Sequence, residues 1–159
     1  MRAVVVTAAC VMLSACGSSP VAPDLSFRVI GQAAFPATLD LRRAEPAVVV
    51  IHDSGSWTDF LERSGLRSPS GRPEDPIPSI NFSSEMSIVV LLGARPTSGY
   101  GIRADRISRR GAILVVAATE IVSCATVLPV VTYPLMAIAV NRSDQSVAVE
   151  WSRETAACR

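Results

Sequence analysis

The sequence predicts a mainly β domain: an antiparallel sandwich or curled sheet of about six strands with one short helix, a β-rich α+β architecture. Short runs rich in β-branched residues alternate with turns that contain Gly, Pro or Asn. Only one segment has the periodicity of an amphipathic helix. The chain of 159 residues is long enough for one domain with its own core and contains no internal repeat.

The amino terminus indicates the cellular compartment. After Met1-Arg2, residues 3–13 form an apolar run that is too short to span a bilayer. The run ends in Leu13-Ser14-Ala15-Cys16, which resembles the signal of bacterial lipoproteins. This resemblance implies cleavage after Ala15 and lipidation of Cys16, whose several acyl chains would anchor the mature protein stably. The alternative is an ordinary secretory signal followed by a chance cysteine.

Processing at this signal would divide the chain into three parts. Residues 1–15 are the predicted signal peptide, residues 16–25 a lipid-anchored tether, and residues 26–159 the β-rich domain. Gly17 is not the aspartate that retains enterobacterial lipoproteins at the inner membrane, which favours the outer membrane. We therefore expect a protein of the bacterial cell envelope that faces the periplasm or the cell surface.

Charge and composition argue against several classes of ligand. Removal of Arg2 with the signal leaves 14 arginines against 14 acidic residues, so no basic excess points to nucleic acid. One histidine and a few isolated cysteines supply no cluster of metal ligands. We expect no nucleic acid, no metal, no cofactor and no small-molecule substrate.

Two cysteines remain after the predicted processing. Cys124 and Cys158 would both lie in an oxidising compartment, where a disulfide would tie the carboxyl-terminal tail to the domain. Such a bridge stabilises a fold by about 2–4 kcal/mol; the alternative is two independent thiols. If the bridge forms, the mature protein has no thiol that can be labelled under non-reducing conditions. Two labelled thiols would contradict it.

The segments of regular structure follow in order. The predicted strands are Ser26–Ile30, Ala47–Ile51, Ile88–Leu92, Ile102–Ile107, Ala112–Thr119, Leu135–Val140 and Ser146–Trp151. Ile88–Leu92 is continuously apolar, which is typical of a strand buried on both faces. Residues 67–79 form a proline-rich surface loop, and Ala125–Thr132 an edge piece or a bend, because Pro129 cannot donate to a ladder. The polar turn at residues 141–145 predicts a hairpin between the last two strands.

The helix lies between the second and third predicted strands. Ser56 and Asp59 fit a capping pattern at its start, and Gly65 can end it in the left-handed conformation. Trp57 and Phe60 share one face and are predicted to be core anchors.

The loop after the central strand is the candidate binding site. It reads Gly93-Ala94-Arg95-Pro96-Thr97-Ser98-Gly99-Tyr100-Gly101. One interpretation is conformational: Gly99 and Gly101 permit positive φ, and the Tyr100 ring covers the sheet edge. The other is that Arg95, Pro96, Thr97, Ser98, Gly99 and Tyr100 form a rigid surface for a protein partner, since Arg and Tyr are favoured at interfaces. The two interpretations do not exclude each other.

No catalytic residues are predicted. His52-Asp53 lies near several serines, but the chain has no G-x-S-x-G motif and no second histidine. We expect His52 to be a solvated residue at the end of a strand, and the protein not to be an enzyme.

Residues 48–149 resemble the PrcB C-terminal domain family of small envelope domains. The similar segments are Val49–Ile51 with Trp57 and Phe60-Leu61, Ile80–Ser83, Gly93–Tyr100 and Val131–Pro134. Ser98 stands where the family usually has the first glycine of T-G-G-Y, and Asn81 where it usually has aspartate. The resemblance implies no catalytic residue. It implies an accessory module, since the family is named for a lipoprotein that associates with a surface protease and stabilises it.

The same loop has a second likeness. Arg95–Tyr100 is similar to the N-P-T-T-G-Y/F loop with which chagasin-type inhibitors block cysteine peptidases. The alternatives to an accessory module are therefore a protease inhibitor that uses the Arg95–Gly101 loop and a purely structural envelope lipoprotein.

Overall fold

The computed structural model describes residues 24–36, 38–72 and 74–157 and confirms the predicted fold class. These residues form eight strands in two four-stranded sheets and one α-helix. The elements are β1 (Asp24–Leu25), β2 (Phe27–Ala33), β3 (Ala47–Ile51), α1 (Ser54–Ser64), β4 (Glu85–Leu91), β5 (Tyr100–Arg110), β6 (Ile113–Val122), β7 (Leu135–Asn141), β8 (Ser146–Thr155) and a 3₁₀ turn at Leu39–Leu41. Among the described residues, no helix is long and apolar enough to cross a bilayer.

The two sheets and the helix form three layers. Sheet A has the strand order β1-β5-β6-β8, and sheet B has the order β2-β7-β4-β3. One core fills the space between the sheets and includes Met86, Ile88, Ile107, Leu114, Val116 and Ile138. A second core lies between sheet B and α1 and includes Trp57, Phe60, Val89, Leu91 and Ala137. Sheet B is therefore the middle layer.

The position of sheet B explains the composition of its central strands. A strand in a middle layer presents both of its faces to apolar neighbours, so its sequence has no polar alternation. Residues 86–91 of β4 are all buried, and so are residues 135–140 of β7. The prediction that the Ile88–Leu92 run is buried on both faces is confirmed.

The start of α1 differs from the prediction. The N-cap is Asp53, whose Oδ1 accepts a hydrogen bond from the Ser56 backbone N–H at 2.8 Å. Ser56 is inside the helix, so the predicted cap at Ser56 is wrong. Hydrogen bonds from the backbone and hydroxyl of Ser56 hold the pKa of Asp53 below its usual value, because they favour the ionised carboxylate. Gly65 ends the helix at φ 60°, as predicted.

A bulge in β5 changes which side chains reach the core. Period two predicts that Ile102 and Ile107 face opposite sides of the sheet, because they are five residues apart. The register with β6 shifts between Ala104 and Arg106, which leaves Asp105 unpaired in the ladder. A bulge of this kind reverses the alternation beyond it. Both isoleucines therefore lie in the core between the sheets.

The predicted hairpin between the last two strands is wrong. β7 is a central strand of sheet B with β2 and β4 on its two sides, so it has no edge for a further partner. After Asn141 the chain crosses to sheet A, where β8 pairs with β6 in parallel. This is the one parallel pair among the described strands.

The amino-terminal end of the domain also has a defined place. Asp24 and Leu25 form β1 and pair with Ser108 and Ile107 of β5. The last two residues of the predicted tether therefore belong to sheet A. The chain then crosses to sheet B at Ser26.

Candidate functional site

The candidate site is the loop that joins β4 in sheet B to β5 in sheet A. Its backbone is fixed against the segment that precedes β7. The Arg95 N–H donates to the Thr132 carbonyl at 2.8 Å, and the Thr132 N–H donates to the Arg95 carbonyl at 2.9 Å. The Thr132 hydroxyl donates to the Thr97 carbonyl at 2.8 Å. These contacts hold the first half of the loop in one conformation.

The second half of the loop is held in the same way. The Ser98 N–H donates to the Leu128 carbonyl, and the Leu128 N–H donates to the Ser98 hydroxyl oxygen, each at 3.0 Å. The Gly99 carbonyl accepts from the Ser123 N–H at 2.7 Å. Ser98 has no positive φ, so it is not strained where the family usually has glycine. Its hydroxyl supplies a bond that glycine could not make.

The glycines of the loop have other roles than predicted. Neither Gly99 nor Gly101 has a positive φ, so that expectation is wrong. A Cβ at Gly99 would lie 2.6 Å from Cγ1 of Val127, so the missing side chain permits close packing. The left-handed residue of the loop is Gly93, with φ 81°.

Tyr100 lies among charged groups at this end of the sandwich. Its half-buried ring packs against the core between the sheets, and coverage of a sheet edge by the ring stays a prediction. The guanidinium carbons of Arg95 and Arg153 lie 5.9 and 6.0 Å from the ring centroid. Such positions are favourable because cations are attracted to the face of an aromatic ring.

Arg95 has a carboxylate partner that the sequence did not reveal. Its Nε donates to Oε1 of Glu120 at 2.9 Å, and its Nη2 donates to Oε2 at 3.3 Å. The two side chains are only 19% and 14% exposed. Arg95 therefore closes the end of the sandwich, and its guanidinium is not available as an isolated positive group.

The exposed part of this region is a segment that the prediction treated as an edge piece or a bend. Residues 125–131 form no strand, and Thr132 makes only an isolated bridge with Arg95. Leu128 is 68% exposed, Val131 52% and Val130 39%. We call Leu128, Pro129, Val130 and Val131 the apolar ledge. Within the Arg95–Tyr100 loop, by contrast, Pro96 is exposed and the other five residues are half-buried.

The ledge could have been recognised from one signal in the sequence. A run of four apolar residues that contains a proline cannot be a central strand, yet it has no polar residue that suits a solvated loop. Such a run is either covered by another part of the protein or exposed for a partner.

The other predicted site residues have separate positions. Cys16 and Cys158 lie outside the described residues, so lipidation and the disulfide stay predictions. Cys124 is half-buried and follows β6. His52 is half-buried at the end of β3, so it is less solvated than the sequence predicts. Its Nδ1 is buried and makes no hydrogen bond to any described residue.

The comparisons with known proteins bear on the central part of the chain. Residues 86–141 match the family model described as PrcB C-terminal. The match confirms the predicted resemblance for the stretch from β4 to β7, which contains both the loop and the ledge. The other segments of the predicted resemblance, at residues 49–51, 57–61 and 80–83, lie outside the matched residues. No curated protein and no solved structure matches the chain.

Proposed function

We propose that this protein is a non-catalytic, lipid-anchored accessory module of the bacterial envelope. The match of its residues 86–141 to the PrcB C-terminal family model supports this proposal. The protein stabilises an envelope protein partner, a peptidase in our proposal. Cys16 carries the anchor, and the apolar ledge is the contact surface. The Arg95–Tyr100 loop is the rigid support on which the ledge rests, with Pro96 at the margin of the contact.

One observation carries this proposal: an exposed apolar segment is held rigidly by a network of backbone hydrogen bonds. Exposure of large apolar side chains to water is unfavourable, so their burial against a partner would contribute favourable free energy to binding. A segment already ordered in the unbound protein loses little conformational entropy on binding. The bonds of Leu128 with Ser98 and of Thr132 with Arg95 provide this order.

The test is capture of a partner by the full chain, solubilised in detergent with a carboxyl-terminal tag, from envelope extract of the source organism. The ledge variant is Leu128→Asp/Val131→Asp, which places two charges on the proposed contact. The matched control is Leu39→Asp/Ile113→Asp, because these side chains are also apolar and exposed but lie in other elements. Loss of hot-spot contacts is expected to reduce capture at least about tenfold for the ledge variant only.

The identity and the activity of the captured protein decide the interpretation. A peptidase retained by the unaltered chain and the control, but not by the ledge variant, is the expected result. A peptidase that keeps or gains activity in the complex is the accessory case. Loss of its activity would favour inhibition. Equal capture by the ledge variant and the control would mean that the ledge is not the contact surface.

A further inference from the structure

A second feature of sheet A is its open edge along the first half of β5. β1 covers only Ile107 and Ser108 on that side, since the chain leaves for sheet B after Leu25. Between Tyr100 and Arg106, β5 pairs with β6 alone among the described strands. Six residues of this stretch, all except the bulged Asp105, therefore have a strand partner on one side only within the part of the chain that the structure describes.

The backbone groups that point to this open side can be identified. The Gly99 carbonyl accepts from the Ser123 N–H in register with the pairing of Tyr100 and Val122, so the backbone groups of Gly99 and Gly101 point to β6. The Ile102 carbonyl instead accepts from the Gln32 side-chain amide at 3.4 Å. In an antiparallel ladder the N–H and C=O of one residue point in the same direction, and this direction alternates along the strand. Tyr100, Ile102 and Ala104 therefore direct their N–H and C=O groups to the open edge.

A cleft of about 600 Å³ lies at the start of this edge. One wall is β5 at Tyr100, Gly101 and Ile102, and the other is the end of β2 with the segment from Arg67 to Pro69. The second wall is fixed, because the Gln32 and Arg67 backbones exchange two hydrogen bonds, at 3.0 and 2.9 Å.

The side chains of the cleft are suited to an extended peptide. Ala33, Leu135 and the half-exposed ring of Phe35 form an apolar lining. Such a surface suits alternate side chains of an added strand, while the exposed backbone supplies the hydrogen bonds.

The charges at the edge favour an acidic segment. Arg67 lines the cleft and Arg106 lies at the far end of the open stretch, and neither has a carboxylate partner among the described residues. An edge-to-edge dimer of this protein would bring two copies of each of these unpaired arginines to one edge, which is unfavourable because like charges repel. A partner segment with Asp or Glu would neutralise them.

We infer that the open edge of β5 binds an extended, acidic segment of a protein partner by strand addition, with one end of the segment lying in the cleft between Tyr100–Ile102 and Arg67. This site is separate from the apolar ledge. The inference does not require the proposed function, and a partner could use either surface or both.

The direct test uses the full chain in detergent and fluorescent eight-residue peptides in which valine alternates with glutamate, in both registers. Binding is followed by anisotropy, and hydrogen exchange locates the protected amides. We expect binding that slows exchange at Ile102 and Ala104. Peptides with N-methyl groups on every backbone amide should not bind, because neither edge of the peptide then has the donors that a strand requires.

Charge variants test the assignment of Arg67. Arg67→Glu is expected to weaken binding of the acidic peptide about tenfold. The same substitution should improve binding of a peptide in which lysine replaces each glutamate. Arg109→Glu is the control, because it makes the same change of charge on β5 but outside the open stretch. It should change the affinity for the acidic peptide less than about twofold. The ledge variant should bind the peptide normally, which separates this inference from the proposed function.

Three results would overturn the inference. One is the absence of binding in both registers, and another is equal binding of the N-methylated peptides. The third is protection at this edge that appears with protein concentration alone, because a second copy of the chain would then be its occupant.

Discussion

The Gly93→Ala substitution is expected to lower the free energy of unfolding by about 3 kcal/mol, since it combines backbone strain with a steric clash. Gly93 has φ 81°, which residues with a Cβ rarely adopt. The added Cβ would also lie 2.6 Å from the Ala44 carbonyl oxygen and 2.7 Å from the Glu45 carbonyl carbon. Backbone atoms cannot rotate away as a side chain can, so the loop or the start of β3 must move.

Gly101→Ala is the matched control for this prediction. Gly101 lies in the same region, has no positive φ, and has no atom within 4 Å of the position of an added Cβ. Its replacement should leave the free energy of unfolding within about 0.5 kcal/mol of the original. Urea unfolding followed by circular dichroism measures both variants. Equal stability of the two would contradict the conformation assigned to the loop.

The Glu120→Gln substitution is expected to destabilise the domain by about 2 kcal/mol, because it leaves the largely buried Arg95 guanidinium without its carboxylate. The glutamine side chain has nearly the same shape, so the loss reports charge and hydrogen bonding rather than packing. Because the pair is shielded from solvent, we expect most of the effect to persist at high salt. Thermal or urea unfolding at two salt concentrations measures it.

Two further variants are controls for the Glu120→Gln substitution. Glu150 forms an ion pair with Arg110 whose side chains are about half exposed, so Glu150→Gln should cost less than about 1 kcal/mol. Replacing both members of the buried pair, in Arg95→Met/Glu120→Leu, should recover most of the stability, since no charge is then left unpaired. A double variant less stable than Glu120→Gln would show that the pair contributes more than mutual neutralisation.

The sequence allowed much of the fold to be predicted, because burial leaves a direct pattern. The continuous apolar run of β4, the β-branched run of β3, and the helix with Trp57 and Phe60 on one face each indicated their element. The hairpin error came from a five-residue polar turn that can equally join two strands of one sheet or cross between sheets. The strands themselves contained a signal against a hairpin. β7 is almost entirely apolar, which is typical of a strand in a middle layer, whereas apolar and polar residues alternate in β8, which is typical of a strand in an outer layer.

The candidate site was harder to predict, because its properties depend on contacts between distant residues. By residue type, Arg95 and Tyr100 are typical of protein interfaces. In the structure, however, Glu120 forms an ion pair with Arg95, and the Tyr100 ring is partly buried against the core between the sheets. The exposed apolar side chains of this region belong instead to Leu128, Val130 and Val131. The apolar run of the ledge could signal a covered or an exposed segment, but the choice between these two, like the burial of the charged loop, depends on distant residues. The open edge of β5 depends in turn on where β1 ends.

The central claim is that the apolar ledge contacts an envelope partner in the cell, and site-specific photo-crosslinking tests it most directly. A benzophenone amino acid at position 128 is compared with the same group at position 39, where the leucine is 79% exposed but lies in the 3₁₀ turn. We predict an adduct with an envelope peptidase from position 128, the protein captured in extracts, and none from position 39. No adduct from position 128, or the same adduct from both positions, would contradict the claim.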